Sequence, residues 1–136
     1  MVAVPTPYEE AANWTTGYMA QVGPVYRYQT GADYGLGFRV AENHVNGLGR
    51  CHGGMLMGFA DMAFGFAIAH IHKRHWVTVR LLTDFVSSAE IGEWVEGKAQ
   101  ITGQDGDFFF VKGRVWTGER TILQGSGTFK ALGPRE

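Results

Sequence analysis

Cysteine is almost missing from this chain: Cys51 stands alone among 136 residues. A single thiol closes no internal disulfide. That excludes a small cross-linked scaffold and fits a reducing compartment, so a cytoplasmic location is expected. An excess of one charge is missing too. The 12 Lys and Arg against 13 Asp and Glu leave a formal net charge of −1. Nothing electrostatic therefore points to nucleic acid or to an anionic membrane surface. The opening MVAVPTPYEE has no basic stretch followed by an apolar run, so no signal peptide is expected. There is no cysteine pair and no HExxH motif. His70, His72 and His75 are spaced i, i+2, i+5, which does not set three ligands on one helix face. Neither a metal nor a cofactor is expected. No G-x-S-x-G is present for a serine hydrolase. Gly47, Gly49 and Gly53 precede a run of hairpins rather than βαβ units, which sets aside a dinucleotide fold.

What is present suits one folded domain over 1–136. Hydrophobic residues make up 45% and aromatic residues 13% of the chain, enough to bury a core. Glycine is abundant, with 20 residues, about twice the usual ~7%. Acidic residues early and apolar residues at mixed helical spacing predict an N-terminal helical segment within 1–21, strongest over 8–21, ended by Gly23-Pro24. Residues 24–30 and Tyr34–Val40 alternate as two strands of a hairpin. Met55–Ile71 is apolar enough to suggest a membrane span. It contains Asp61, however, and ends in His70, Ile71, His72 and Lys73, so a buried central helix from about Gly53 to His72 is expected. Gly54, Gly58 and Gly65 each lower its propensity by roughly 1 kcal/mol relative to Ala, which implies close packing against other backbone. Strands then follow at Trp76–Phe85, Trp94–Thr102, Phe108–Thr117 and Thr121–Leu132, joined by Asp-Gly and Gly-Glu turns. The tail 133–136 is expected to fray. One long helix wrapped by an antiparallel sheet is an α+β architecture.

Chemistry concentrates in one stretch: Asn46, then His52-Gly53-Gly54, then Asp61 nine residues after that histidine. Asp61 shares a helix face with Gly54, Met57, Gly58, Gly65 and Ile68. It is an exposed carboxylate on the helix's one wet stripe, a carboxylate paired with Arg80 or another base, or a desolvated one suited to general-base or nucleophilic work. The glycines are either a tolerated helix start or a way to bring a carbonyl onto free backbone N–H groups at the helix N-terminus. Asn46 is either a turn former or an amide that orients a reacting group, and His44 and His52 share that ambiguity. The aromatic residues Phe59, Phe64, Phe66, Trp76 and Phe85 read as core rather than as a ligand pocket.

The spacing Asn46…His52-Gly53-Gly54…Asp61 closely resembles the hotdog-fold acyl-CoA thioesterases of the phenylacetate-pathway (PaaI-like) group. Gly23-Pro24, Phe38-Arg39-Val40, Val77-Thr78-Val79 and Asp84-Phe85…Ala89…Gly92 extend the resemblance over roughly residues 22–132. It implies a hotdog fold and a homodimer joined sheet edge to sheet edge, usually paired into a homotetramer. It also implies a site between subunits, with Gly53 and Asn46 from one chain and Asp61 and Thr78 from the other. Carried over, Asp61 is nucleophile or base and Gly53 N–H polarises the thioester carbonyl. Asn46 and His52 position the reacting groups, Thr78 orients water, and Gly54 lies against substrate. Ser88 stands where a proline is common. Cys51 stands where an aliphatic residue is usual, which suggests sensitivity to thiol reagents. The expected function is hydrolysis of a small aryl- or fatty acyl-CoA by water alone. A non-catalytic acyl-CoA or aromatic-ligand binding module is the alternative. A hotdog dehydratase finds no matching acid pair.

Overall fold

The structure is a computed structural model, and it describes residues 3–11 and 14–133. Its elements are β1 (Glu9–Glu10), α1 (Tyr18–Val22), β2 (Tyr26–Thr30), β3 (Asp33–Arg39), α2 (Gly53–His72), β4 (His75–Phe85), β5 (Trp94–Asp105), β6 (Phe108–Thr117) and β7 (Arg120–Leu132). The strands form one seven-stranded sheet in the order β1-β2-β3-β5-β6-β7-β4, and every neighbouring pair is antiparallel.

α2 matches its expected span. His52 caps its start, and Lys73, in the left-handed region at φ 56°, closes its end by donating its N–H to Ala69 O. Among the described residues it is the one helix long and apolar enough to cross a membrane. The sheet wraps it instead, and Phe59, Ala60, Phe64, Ala67 and Ile68 are fully buried. Glycines on the sheet's inner face make the trough for its side chains. A methyl group on Gly97 would lie 2.8 Å from the Phe59 ring, and one on Gly113 would lie 2.4 Å from the Phe64 ring. The helix glycines serve side chains rather than backbone, contrary to expectation. A methyl group on Gly65 would lie 2.1 Å from the Trp76 indole, and one on Gly58 would lie 3.4 Å from the Tyr18 hydroxyl.

Three two-residue hairpin loops, Gly31-Ala32, Gly106-Asp107 and Gly118-Glu119, each begin with a glycine at φ near +60°. Positive φ at the first loop position alone is type II′ geometry, whose twist matches that of the strands it joins. The expected N-terminal helix shrinks to α1. Glu9 and Glu10 pair with Arg27 and Tyr26 as a short strand, and Gly17 at φ 60° starts α1 late. Residues 1, 2, 12 and 13 of that segment, and 134–136 of the tail expected to fray, lie outside the described residues. At the far end of α2 the buried Arg74 binds the Asp107 carboxylate at 3.1 Å and the carbonyls of Ala131, Leu132 and Gly133. It ties the helix exit to the β5–β6 turn and the end of β7.

β4 is one edge strand of the sheet, with the two-residue β1 at the other edge. Between Thr78 and Arg80 its register against β7 shifts by one residue, so Val79 is a bulge. The inward-facing positions therefore change parity. Trp76 and Thr78 meet α2 on one side of the bulge, and Leu81, Thr83 and Phe85 face inward on the other.

Candidate active site

Four expected site residues sit along the strip where β4 crosses α2. The Thr78 hydroxyl donates to Asp61 Oδ1, so the bulged strand and the helix hold one carboxylate between them. Asp61 is half-buried in the single chain rather than fully desolvated. Arg80 is not its partner, because Arg80 lies on the outer face beside Lys112, Ser126 and Thr128. Among the described residues the carboxylate's second oxygen accepts no hydrogen bond.

At the helix start the two glycines differ. Gly54 N–H donates to His52 Nδ1 at 2.7 Å, so that donor is already used. Gly53 N–H has no hydrogen-bond partner among the described residues. A Cβ on Gly53 would meet only the Phe85 ring, at an ordinary 3.5 Å, and its φ is not positive. Among the described residues nothing requires glycine there. His52 is thus an N-cap that sets the helix start.

Asn46 Oδ1 accepts from Leu48 N at 2.9 Å and Arg50 N at 3.2 Å. Its role as a turn former is real, and its amide N–H groups are what remain for a ligand. His44 drops out. Its Nδ1 accepts from Ala41 N and its Nε2 lies 2.6 Å from Val22 O, so the buried ring donates through Nε2 and pins the loop to the end of α1. Cys51 is buried, and burial pushes its thiol up to about 12. The expected sensitivity to thiol reagents is therefore corrected: the thiol stays protonated and covered.

Gly53 and Asp61 stand eight residues apart on one helix, about 12 Å by helical rise. One thioester carbonyl cannot touch both within a chain. Sequence reading missed Phe85, which it assigned to the core. Phe59, Phe64 and Phe66 are buried, but Phe85 is 50% exposed with its ring edge on Gly53. Simple alternation points it away from Thr78's face, and only the bulge turns it inward.

Residues 48–123 match the family model of the thioesterase superfamily. PA0474 of Pseudomonas aeruginosa, described as an inferred esterase, is 33% identical over 96 residues, covering 69% of this chain and 72% of that protein. The Escherichia coli PaaI protein from the phenylacetic acid degradation operon superposes with a TM-score of 0.77 at 20% identity, covering 91% of each chain. A hypothetical thioesterase protein of Streptococcus pneumoniae, solved with coenzyme A, superposes with a TM-score of 0.69 at 17% identity, covering 76% of this chain and 83% of that one. The sheet wrapped on α2 has the hotdog fold of PaaI, and by the family match over residues 48–123 this chain belongs to the thioesterase superfamily, as a thioester hydrolase.

Proposed function

We propose that the protein hydrolyses acyl-CoA thioesters at a site shared by two copies of the chain. The observation that carries this reading is the pairing of a free Gly53 N–H with a Thr78-held Asp61 carboxylate about 12 Å away on the same helix. Donor and carboxylate serve one carbonyl only if they come from different chains. Coenzyme A as the thiol component is supported by the Streptococcus pneumoniae relative that holds it.

The β4 edge supports the join. Val77 and Val79 on β4 are exposed, at 46% and 55%, a long apolar edge of the kind that pairs with another strand. A two-fold axis through Leu82 would pair β4 with the partner's β4. Leu82 would then face its own copy, Thr83 the partner's Leu81, and Asp84 the partner's Arg80. Past the bulge, Phe85 would face the partner's Thr78, with inner and outer faces matched throughout. Arg80 and Asp84 form no ion pair among the described residues, and opposite charges across strands favour this register. It brings Gly53 of one chain beside Asp61 of the other. Two such dimers make the homotetramer.

In that site the carbonyl oxygen accepts from Gly53 N–H at the positive end of α2, which stabilises the tetrahedral oxyanion. Asp61 either takes a proton from water as water attacks, or attacks itself to form an anhydride that water opens. In both routes the C–S bond breaks, the thiolate leaves and is protonated, and the acid is released. Thr78 orients the carboxylate, Asn46 offers its amide N–H groups, and His52 and Gly54 hold the helix start.

The test is thiol release from an acyl-CoA panel by wild type and Asp61→Asn. A loss of about 10²-fold or more in the variant is expected. Wild-type-like turnover by Asp61→Asn would overturn the assignment. Single turnover in heavy-oxygen water, with label sought in Asp61, separates the two routes.

A further inference from the structure

We infer that Tyr18 is a further water-holding residue of this site: its hydroxyl and the open Asp61 oxygen grip the attacking water between them, so that hydrolysis runs by general-base attack. The inference rests on the reading that Asp61 drives hydrolysis. The Tyr18 hydroxyl stands 3.4 Å from where a Gly58 Cβ would be, with ring atom Cε2 at 3.8 Å. Gly58 and Asp61 are three residues apart on α2, neighbours on one helix face with about 5–6 Å between Cβ positions. Glycine leaves the floor beside the carboxylate bare. Among the described residues the Tyr18 hydroxyl makes no hydrogen bond, and the Asp61 carboxylate accepts one, from Thr78 at Oδ1. Two polar oxygens thus stand over one side-chain-free position with bonding capacity unused.

The fold fixes Tyr18 in that place. α1 has five residues, too few to hold a helix unaided. Asn43 Nδ2 donates to Gln21 O at 2.9 Å, His44 Nε2 lies 2.6 Å from Val22 O, and Met19 and Val22 pack on the core. Tyr18 is left outside the core, with its hydroxyl end on α2. A held water needs two or more polar partners. The carboxylate oxygen and the phenol oxygen each accept one of its hydrogens, which turns its lone pair toward a carbonyl seated on Gly53 N–H of the other chain. Asp61 takes one proton as the water oxygen bonds the carbonyl carbon, and the second stays on the new acid. When the C–S bond breaks, the thiolate takes the proton back from Asp61.

The experiment measures kcat, KM and Tm of Tyr18→Phe beside wild type and Asp61→Asn, on the fastest substrate of the acyl-CoA panel, and follows single turnover in heavy-oxygen water. Phenylalanine keeps the ring on Gly58 and deletes only the hydroxyl. kcat is expected to fall about three- to tenfold, the size of one hydrogen bond, with KM and Tm unchanged and no label in Asp61. A wild-type kcat in Tyr18→Phe overturns the inference. So does a loss carried by KM alone, a fall in Tm large enough to account for the lost kcat, or label found in Asp61. If Asp61→Asn is inactive and Tyr18→Phe is unaffected, the inference alone falls. Retained turnover in Asp61→Asn instead sinks the assignment of that carboxylate, and the role of Tyr18 with it.

Discussion

Gly53 and Gly54 are adjacent, yet the structure gives them different tasks. Gly54 N–H is consumed by His52, and a Cβ there would crowd the imidazole at 3.0 Å. Gly53 keeps its donor and has room for a methyl group against Phe85. Gly53→Ala is therefore expected to fold with a Tm close to wild type and to lose about tenfold or more in kcat/KM, because the new methyl group occupies the carbonyl's approach. Unfolding curves beside steady-state kinetics check both halves. Cys51 makes a second prediction. Its thiol, ordinarily near 9.0, is held up to about 12 by burial. Native protein at pH 8 is expected to resist iodoacetamide, and denatured protein to be alkylated quickly; intact mass reports the difference. The same shift makes the folded state keep a proton that the unfolded chain loses, so this group lowers stability as pH rises from about 9 to about 12.

At the scale of elements, the contact between α2 and β4 is set by where the helix has no side chain. Trp76 lies on Gly65, Thr78 reaches Asp61, and Phe85 lies on Gly53, so the strand runs antiparallel to the helix with one partner at each crossing. Gly65→Ala would force a methyl group to 2.1 Å from the indole. Overpacking of this kind costs about 1–3 kcal/mol. Denaturant titration is expected to show that loss, with Trp76 fluorescence altered and activity reduced through the displaced β4. Retention of wild-type stability would mean that Trp76 swings freely away from the helix. The helix ends and hairpins were legible because their signals are local: His52 before a glycine pair, and Gly at the first position of each two-residue turn. The N-terminal segment was not. Its apolar spacing suits a helix, but Glu9 and Glu10 are captured by pairing with β2, a non-local partner that spacing does not reveal.

For the whole molecule, the chain has a finished core and an unfinished edge. β4 leaves Val77, Val79 and Leu82 exposed beside Arg80 and Asp84. If two copies pair about Leu82, Arg80→Asp and Asp84→Arg should each set like charges against each other twice per dimer. Each single variant is expected to dissociate at lower dilution and to lose activity in step with dimer. The double variant is expected to recover both. Sedimentation and turnover across a dilution series read this together, and a double variant no better than the singles would rule out the register.

Sequence alone determined the α2-and-hairpins plan, the extent of α2 to the residue, and the spacing of a backbone donor from a carboxylate. Each rests on local periodicity, capping and turn chemistry that neighbouring residues carry among themselves. Only the tertiary structure decided how those parts are used. His44 is a buried strut and Cys51 a covered thiol, because their surroundings come from across a loop or from the core, whereas His52 as a cap and Asn46 as a turn bond to residues two to four positions away. The bulge at Val79 was the least legible feature and the most consequential. One extra residue, paired with nothing in β7, reverses the inward face of β4, so that Thr78 and Phe85, an odd number of positions apart, both turn toward the helix.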